Sequence, residues 1–457
     1  MTDTIAAAAT PMGRGAIGIL RLSGPGAVAA ASAVFTPQNG KPLADCPPRK
    51  LVYGVLHDRE GRPIDQVLAT FTPGPHSYTG EDTAEIQCHG SPVVLSLGLE
   101  ALFAQGARQA PPGEFTRRAF LNGRLDLTQA EAVADLIDAE TPSAARLAAG
   151  QLSGALGRRA GEIYEGLTDL MAHFCAVLDY PDEDIDPFRA QTIEDALDKA
   201  QRDLRSLLAT YDRGRRAVRG VPCALVGRPN AGKSSLLNAL VGYERAIVTA
   251  LPGTTRDTIE EKAELGGVLL RLIDTAGLRE TGDEVERLGV ERSRAAMESA
   301  QLILMLVDGA VPFTEEDAAL LTEAMEYAPT ILVFTKADLW RGNRGISIKG
   351  ITPPPVVALS AKTGEGMEDL AAAVAALFPL GAREESGELL TNARQADAAK
   401  RALEAVERAR AGQALGITPD AVLTDVECAL TALGELMGRT VREDVTERIF
   451  ERFCVGK

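Results

Sequence analysis

Gly227-Arg228-Pro229-Asn230-Ala231-Gly232-Lys233-Ser234 has the residue types and spacing of a loop that wraps phosphate. Its glycines let backbone N–H groups ring the phosphates, Lys233 can reach the β and γ oxygens, and the Ser234 hydroxyl suits Mg²⁺. The apolar run Cys223-Ala224-Leu225-Val226 before it reads as a strand, and Ser235 to Leu240 after it reads as a helix. Asp274-Thr275-Ala276-Gly277 follows a second strand, Val268 to Ile273. There a carboxylate can hold Mg²⁺ through water, and the Gly277 N–H can sense a γ-phosphate.

The base-side chemistry comes next in the chain. Thr335-Lys336-Ala337-Asp338 ends the strand Thr330 to Phe334, which places a buried Asp338 carboxylate to accept from guanine N1–H and the 2-amino group. Adenine offers neither donor, so GTP is preferred to ATP. GTPases usually carry Asn where Thr335 stands, and that Asn supplies an amide contact bracing the base and the phosphate loop. Ser360-Ala361-Lys362, after the strand Val356 to Leu359, fits the last guanine-side loop. Between the two halves lies Gly253-Thr254-Thr255-Arg256-Asp257, a switch segment whose Thr255 hydroxyl can complete a Mg²⁺ shell. Many regulatory GTPases position water with a Gln directly after Asp-x-x-Gly; Leu278 stands there and cannot orient a nucleophile, so catalysis must borrow a group from elsewhere.

Strands alternating with helices from Val221 to about Phe378 imply a parallel α/β sheet beneath these loops. The first 120 or so residues mix short apolar runs, such as Ile17 to Leu22 and Val52 to Leu56, with Gly and Pro punctuation, the texture of an α+β domain. From Leu127 to about Asp179 the sequence turns Ala-, Leu- and Glu-rich and predicts helix, with Thr128 and Glu131 as a capping box at its start. An acidic stretch from Pro181 to Pro187 interrupts, and helix resumes to about Leu208. Past a polar linker at Arg383 to Gly387, the segments Arg394 to Ala411, Thr424 to Met437 and Glu443 to Phe453 predict helices, Gly438 stopping the second. The α/β unit therefore reads as inserted into a helical domain. The boundaries are 1–120, 121–216, 217–379 and 380–457.

At 457 residues the chain has room for about three domains. A net charge of -16, with one interrupted basic run from Arg213 to Arg219, argues against tight nucleic-acid binding by charge alone. The cysteines at 46, 88, 175, 223, 428 and 454 form no C-x-x-C pair and read as reduced thiols in a cytoplasmic protein. No apolar stretch approaches the roughly 18 to 20 residues of a membrane span. No internal repeat is present, and the triple Pro353-Pro354-Pro355 reads as a loop.

G-R-P-N-A-G-K-S-S-L-L-N-A-L, then G-T-T-R-D, D-T-A-G-L-R-E and D-E-V-E-R, resembles the MnmE (TrmE) family of tRNA-modifying GTPases. The ends agree: Asp3-Thr4-Ile5-Ala6-Ala7 and Thr10 to Ser23 look like that family's opening, and Phe453-Cys454-Val455-Gly456-Lys457 is similar to its F-C-I-G-K terminus. The resemblance covers essentially the whole chain. It implies an α+β folate-binding and dimerisation domain, an all-α helical domain and an inserted α/β P-loop (Ras-like) G domain. It further implies a homodimer that works with the flavoprotein MnmG (GidA) to install an aminomethyl-type (carboxymethylaminomethyl) group at C5 of the wobble uridine of certain tRNAs. The folate would be a 5-formyl- or methylene-tetrahydrofolate.

Residue by residue, the resemblance implies a K⁺ ion at Asn230, Thr249, Leu251 and Thr254, where a fixed cation offsets charge developing during phosphoryl transfer. Asn230, through that ion, and Lys233, at the β and γ oxygens, then count with Glu286 as catalytic residues. Glu286, in Asp283-Glu284-Val285-Glu286-Arg287, matches the family's water-orienting acid; as a lone residue it would read as a solvated helix-start charge. A folate site carries over to Arg21, Glu85, Arg124 and Lys457, with Glu85 placed for the pterin N3–H and 2-amino edge. Arg124 stands where the family commonly has Lys. Cys454 is a possible functional thiol or simply part of a tail docking Lys457, and His89 reads as a structural histidine after the strand Thr83 to Cys88. Two other classes fit the sequence less well. A ribosome-assembly GTPase would normally add a basic RNA-binding domain, and a structural homodimer using nucleotide for stability fits poorly with Glu286 and Asn230.

Overall fold

The computed structural model describes residues 3–179, 190–243, 261–273, 294–339, 353–379, 386–440, 448–451 and 453–457. In chain order it begins β1 (Ile5–Ala8), β2 (Ile17–Ser23), α1 (Ala27–Val34), β3 (Phe35–Pro37), β4 (Val52–His57), β5 (Pro63–Thr72), β6 (Thr83–His89), α2 (Pro92–Ala104), β7 (Arg108–Gln109) and α3 (Glu114–Leu121). Five helices follow: α4 (Leu127–Ile137), α5 (Pro142–Leu152), α6 (Ala155–Asp179), α7 (Ala190–Leu208) and α8 (Tyr211–Arg219). Then come β8 (Val221–Gly227), α9 (Lys233–Tyr243), β9 (Glu261–Leu265), β10 (Val268–Ile273), β11 (Leu302–Asp308), α10 (Glu315–Tyr327), β12 (Thr330–Thr335), β13 (Val356–Ala358) and α11 (Met367–Leu377). Helices α12 (Ala393–Ala414) and α13 (Pro419–Met437) precede the C-terminal segment. Contacts divide the chain into two compact units, one of Met1–Ile137, Gln151–Arg205 and Asp397–Lys457, the other of Asp138–Gly150 and Ser206–Ala396.

The first unit holds a seven-stranded sheet in the order β3-β4-β5-β6-β2-β1-β7, antiparallel except where β7 joins β1. Along β6, Ala84, Ile86 and Cys88 point inward while the residues between them stay accessible, the period of two that leaves one face for a site. Its helical part is built on a stripe of α6, Ile163, Leu167, Leu170 and Phe174, packed with Leu197 and Leu204 of α7, Val406 of α12 and Val426 of α13. Gly438 stops α13 in the left-handed conformation, as the sequence predicts.

Residues 127–179 are helical, as the sequence predicts, in three helices. Thr141 caps α5, its hydroxyl accepting from the Ala144 N–H, and Pro142 takes the first helical position, so the chain breaks where both start signals coincide. One sequence expectation gives way: the capping box of α4 is displaced. Asp126 Oδ1 accepts from the Gln129 N–H at 2.8 Å, and Gln129 Oε1 accepts from the Asp126 N–H at 2.9 Å, so Asp126 and Gln129 do the work assigned to Thr128 and Glu131. Thr128 instead donates its hydroxyl to Asp126. Of Glu443 to Phe453, residues 443–447 and 452 lie outside the described set, residues 448–450 are helical and Phe453 is not.

The second unit carries a six-stranded sheet in the order β13-β12-β11-β8-β10-β9, parallel except for the β9–β10 hairpin. Strands β11 and β12 are buried almost without interruption because helices cover both faces. One face packs Leu236 and Leu240 of α9 with Leu370 and Val374 of α11; the other packs Leu321 and Ala324 of α10. Strand β8 lies between β11 and β10, so the strand order reverses around it. In parallel α/β sheets, the crevice outside the carboxyl ends at such a reversal is where ligands bind.

Candidate guanine-nucleotide site

The loop after β8 sits at that crevice. Gly227 lies so close to β11 that a Cβ there would collide with the Leu306 carbonyl. Gly232 has φ +86°, and an added Cβ would stand 3.2 Å from Thr335 Oγ1, so the tight turn into α9 accepts only glycine without strain. Asn230 holds φ +64° although it is not glycine, and it is exposed. Lys233 opens α9, and its Nζ donates to the carbonyls of Gly227 and Arg228, the latter at 2.9 Å. Burial pushes the Lys233 ammonium below its ordinary pKa. Ser234 and Ser235 are exposed on the first turn of α9, where N–H groups and the helix dipole favour an anion.

The guanine-side loops leave the neighbouring strands of the same sheet. Thr335 ends β12, is 3% exposed, and donates its hydroxyl to the Ala231 carbonyl at 2.8 Å. Lys336 takes φ +56° and ion-pairs with Asp308, the last residue of β11, at 2.6 Å. Burial alone would raise the Asp308 carboxyl, but hydrogen bonds from Lys336 and the Ala310 N–H hold it below its ordinary value. Asp338 was expected to be buried; it is exposed, with Oδ1 accepting from Ser360 Oγ at 2.8 Å. Its aim is thus set by the buried Ser360, which leaves the carboxylate edge open toward a ligand. Ala361 and Lys362 follow directly, half-buried and exposed. Asp308 was missed in the sequence, where Val307-Asp308-Gly309 at a strand's carboxyl end was the available signal.

A second constellation lies in the first unit. Arg21 and Glu85 face each other across β2 and β6, with Arg21 Nε donating to Glu85 at 2.8 Å. Arg21 Nη1 also donates to the Gly456 carbonyl at 3.1 Å, and its guanidinium lies 5.9 Å from the centre of the Phe115 ring. The Phe115 N–H donates to the Lys457 carbonyl at 3.2 Å and the Gly113 N–H to that of Cys454 at 3.5 Å, so the C-terminal segment is tied to the start of α3. Cys454 is exposed. Arg124 is exposed beside Gly80 and makes no side-chain hydrogen bond to Arg21, Glu85 or Lys457. His89 is the last residue of β6 rather than the residue after it, exposed and hydrogen-bonded through Nδ1 to Asp65 at 2.8 Å. Thr249, Leu251, Thr254, Thr255, Asp274, Thr275, Ala276, Gly277, Leu278 and Glu286 lie outside the described residues.

Comparison with known proteins settles the family. The profile of the MnmE helical domain matches residues 127–454, and that of the GTP-binding protein TrmE N-terminus matches residues 4–124. The tRNA modification GTPase MnmE of Roseiflexus sp. (strain RS-1) is 45% identical, over 100% of this chain and 99% of its own length. This chain belongs to the MnmE family of tRNA modification GTPases. The Chloroflexus aurantiacus MnmE is 44% identical with both chains covered in full. Among solved structures, the G domain of the T. maritima FeoB iron transporter matches 35% of this chain and 99% of its own, at 29% identity and a TM-score of 0.24.

Membership makes this MnmE-family chain a GTP hydrolase, and the P-loop of the second unit is where its residues fit that activity. Among the described residues no helix is long and apolar enough to cross a membrane. The free cysteines described are Cys46, Cys88 and Cys223, all buried, and the exposed Cys428 and Cys454.

Proposed function

We propose that this chain hydrolyses GTP as one component of a complex that adds a carboxymethylaminomethyl-type group at C5 of the wobble uridine of certain tRNAs, together with a folate one-carbon unit and the flavoprotein MnmG. The observation that carries the GTP half is the meeting, at the carboxyl ends of one parallel sheet, of the Lys233 loop, Thr335 and the Ser360-held Asp338. Ser234, at the first turn of α9, has the hard oxygen donor that Mg²⁺ takes, with Thr255 as its second ligand. Asn230 presents an exposed side chain within the P-loop, which suits a K⁺ ion shared with Thr249, Leu251 and Thr254. Such a cation supplies positive charge next to the phosphates, and Glu286 orients the water.

The folate half rests on Arg21, Glu85 and the docked C-terminal segment, which bring a cation and a carboxylate together on one side of a sheet. Glu85 suits a pterin amide edge, while Arg124 and Lys457 suit its glutamate carboxylates. Two copies of the chain form a homodimer in the cytoplasm in this reading.

Steady-state GTP hydrolysis in matched K⁺ and Na⁺ buffers, with Glu286→Ala alongside, tests the mechanism. Strong K⁺ stimulation that the variant loses is the expected result. Equal rates in both salts would sink the cation-assisted reading.

A further inference from the structure

Thr335 stands where GTPases usually place an Asn, and its surroundings show what the exchange does. The side chain is 3% exposed, and its Oγ lies 2.8 Å from the Ala231 carbonyl and 3.2 Å from the Val307 carbonyl. Both neighbours are acceptors, and a hydroxyl has one proton, so that proton is committed to the protein's own backbone. The methyl group is committed too: Cγ2 lies 3.4 Å from where a Cβ on Gly232 would stand, closing over the turn into α9. An Asn amide in this place has two N–H protons, enough for the loop carbonyl and for one purine acceptor. A threonine hydroxyl has none left, and its lone pairs cannot bond to N7 of a purine, which is itself an acceptor.

We infer that Thr335 is a positioning residue for the phosphate loop alone, that the residue type at 335 decides whether purine N7 is read, and that this protein leaves N7 unread. Guanine is then selected through its N1–H and 2-amino edge at Asp338, whose carboxylate is set by Ser360 at 2.8 Å. The inference rests on the proposed guanine-nucleotide site. It also divides the two tasks that an Asn combines: Thr335 holds the loop that grips phosphate, and Asp338 holds the base.

Calorimetric titration of GDP, 7-deaza-GDP and ADP into the full-length protein, and of the first two into Thr335→Asn, Thr335→Val and Thr335→Ser, tests it. The unmodified protein should bind both nucleotides within about threefold of each other, whereas Thr335→Asn should prefer GDP by about tenfold, the effect of one added hydrogen bond. Thr335→Val keeps the shape but orphans the Ala231 carbonyl, and should weaken both nucleotides by about tenfold alike; Thr335→Ser should restore them. A preference for GDP of tenfold or more in the unmodified protein would overturn the inference, as would an Asn variant that binds GDP yet does not discriminate. Should Thr335→Asn fail to fold, the comparison in the unmodified protein decides alone. Equal binding of ADP and GDP, or no GDP binding, would instead fail the nucleotide-site reading and this inference with it.

Discussion

Lys336 keeps a left-handed backbone that most side chains avoid, and the ion pair to Asp308 is what repays it locally. Asp308→Asn removes the charge and keeps the shape, so Lys336 loses its tether and guanine-nucleotide affinity should fall by roughly three- to tenfold, read by calorimetry. The same variant carries a pH signature. The folded-state pKa of Asp308 lies below its ordinary 3.8, so the pair contributes stability above that pH and loses it as pH falls through the folded value. The stability gap between the two proteins in denaturant titrations should therefore be open at pH 7 and close below about pH 4. A gap that stays constant with pH would mean the pair is not what separates them. Cysteine chemistry is decided by burial in the same way: the Cys223 thiol is pushed up to about 12 and the Cys88 thiol to about 11. At pH 8 the Cys223 thiolate is then on the order of one part in ten thousand. Iodoacetamide followed by peptide mass mapping should label the exposed Cys428 and Cys454 first and reach Cys88 and Cys223 only on unfolding. Early labelling of Cys223 would contradict its burial.

At the scale of elements, most of the second unit was legible because a parallel sheet covered on both faces writes itself as apolar runs. Strands β8, β11 and β12 are such runs, each followed by a loop of the candidate nucleotide site. Helix starts were harder. Asp126-x-x-Gln129 and Thr128-x-x-Glu131 satisfy the same capping pattern two residues apart, and the pattern does not say which pair meets the first free N–H groups. Asp126→Ala removes the group that accepts from both Gln129 N–H and Thr128 Oγ–H, and should lower stability by about 1 kcal/mol, within the range of roughly 0.5 to 2 for a lost cap. Chemical denaturation monitored by circular dichroism reads this directly. A change below about 0.3 kcal/mol would show that packing of the fully buried Leu127 and Ala130 sets the start of α4 without its cap.

The whole molecule adds what no local pattern contains. Arg21 and Gly456 are 435 positions apart and share a hydrogen bond, so spacing along the chain could not place them together; only the resemblance at both ends of the sequence paired the β2 arginine with the C-terminal lysine. The reason the tail can lie there is steric. Gly456 adopts φ +91° against β1, where an added Cβ would collide with the Ala8 carbonyl, and Gly113 lies equally tight on the Phe450 carbonyl. Arg124, matched to the same site by resemblance, makes no such bond; it is exposed in the connection between α3 and α4. Gly456→Val therefore tests whether the docked tail completes the first unit's site. The branched side chain must displace the segment from β1, taking the Gly456 carbonyl from Arg21 and the Lys457 carbonyl from the Phe115 N–H. Binding of 5-formyl-tetrahydrofolate to the full-length protein should weaken at least tenfold, the loss of one to two hydrogen bonds and a shaped wall. GTP turnover by the P-loop, which belongs to the other compact unit, should change by less than about threefold. Unchanged folate binding would remove the tail from that site, and an equal fall in both readouts would make the tail a support for the entire protein rather than for one ligand.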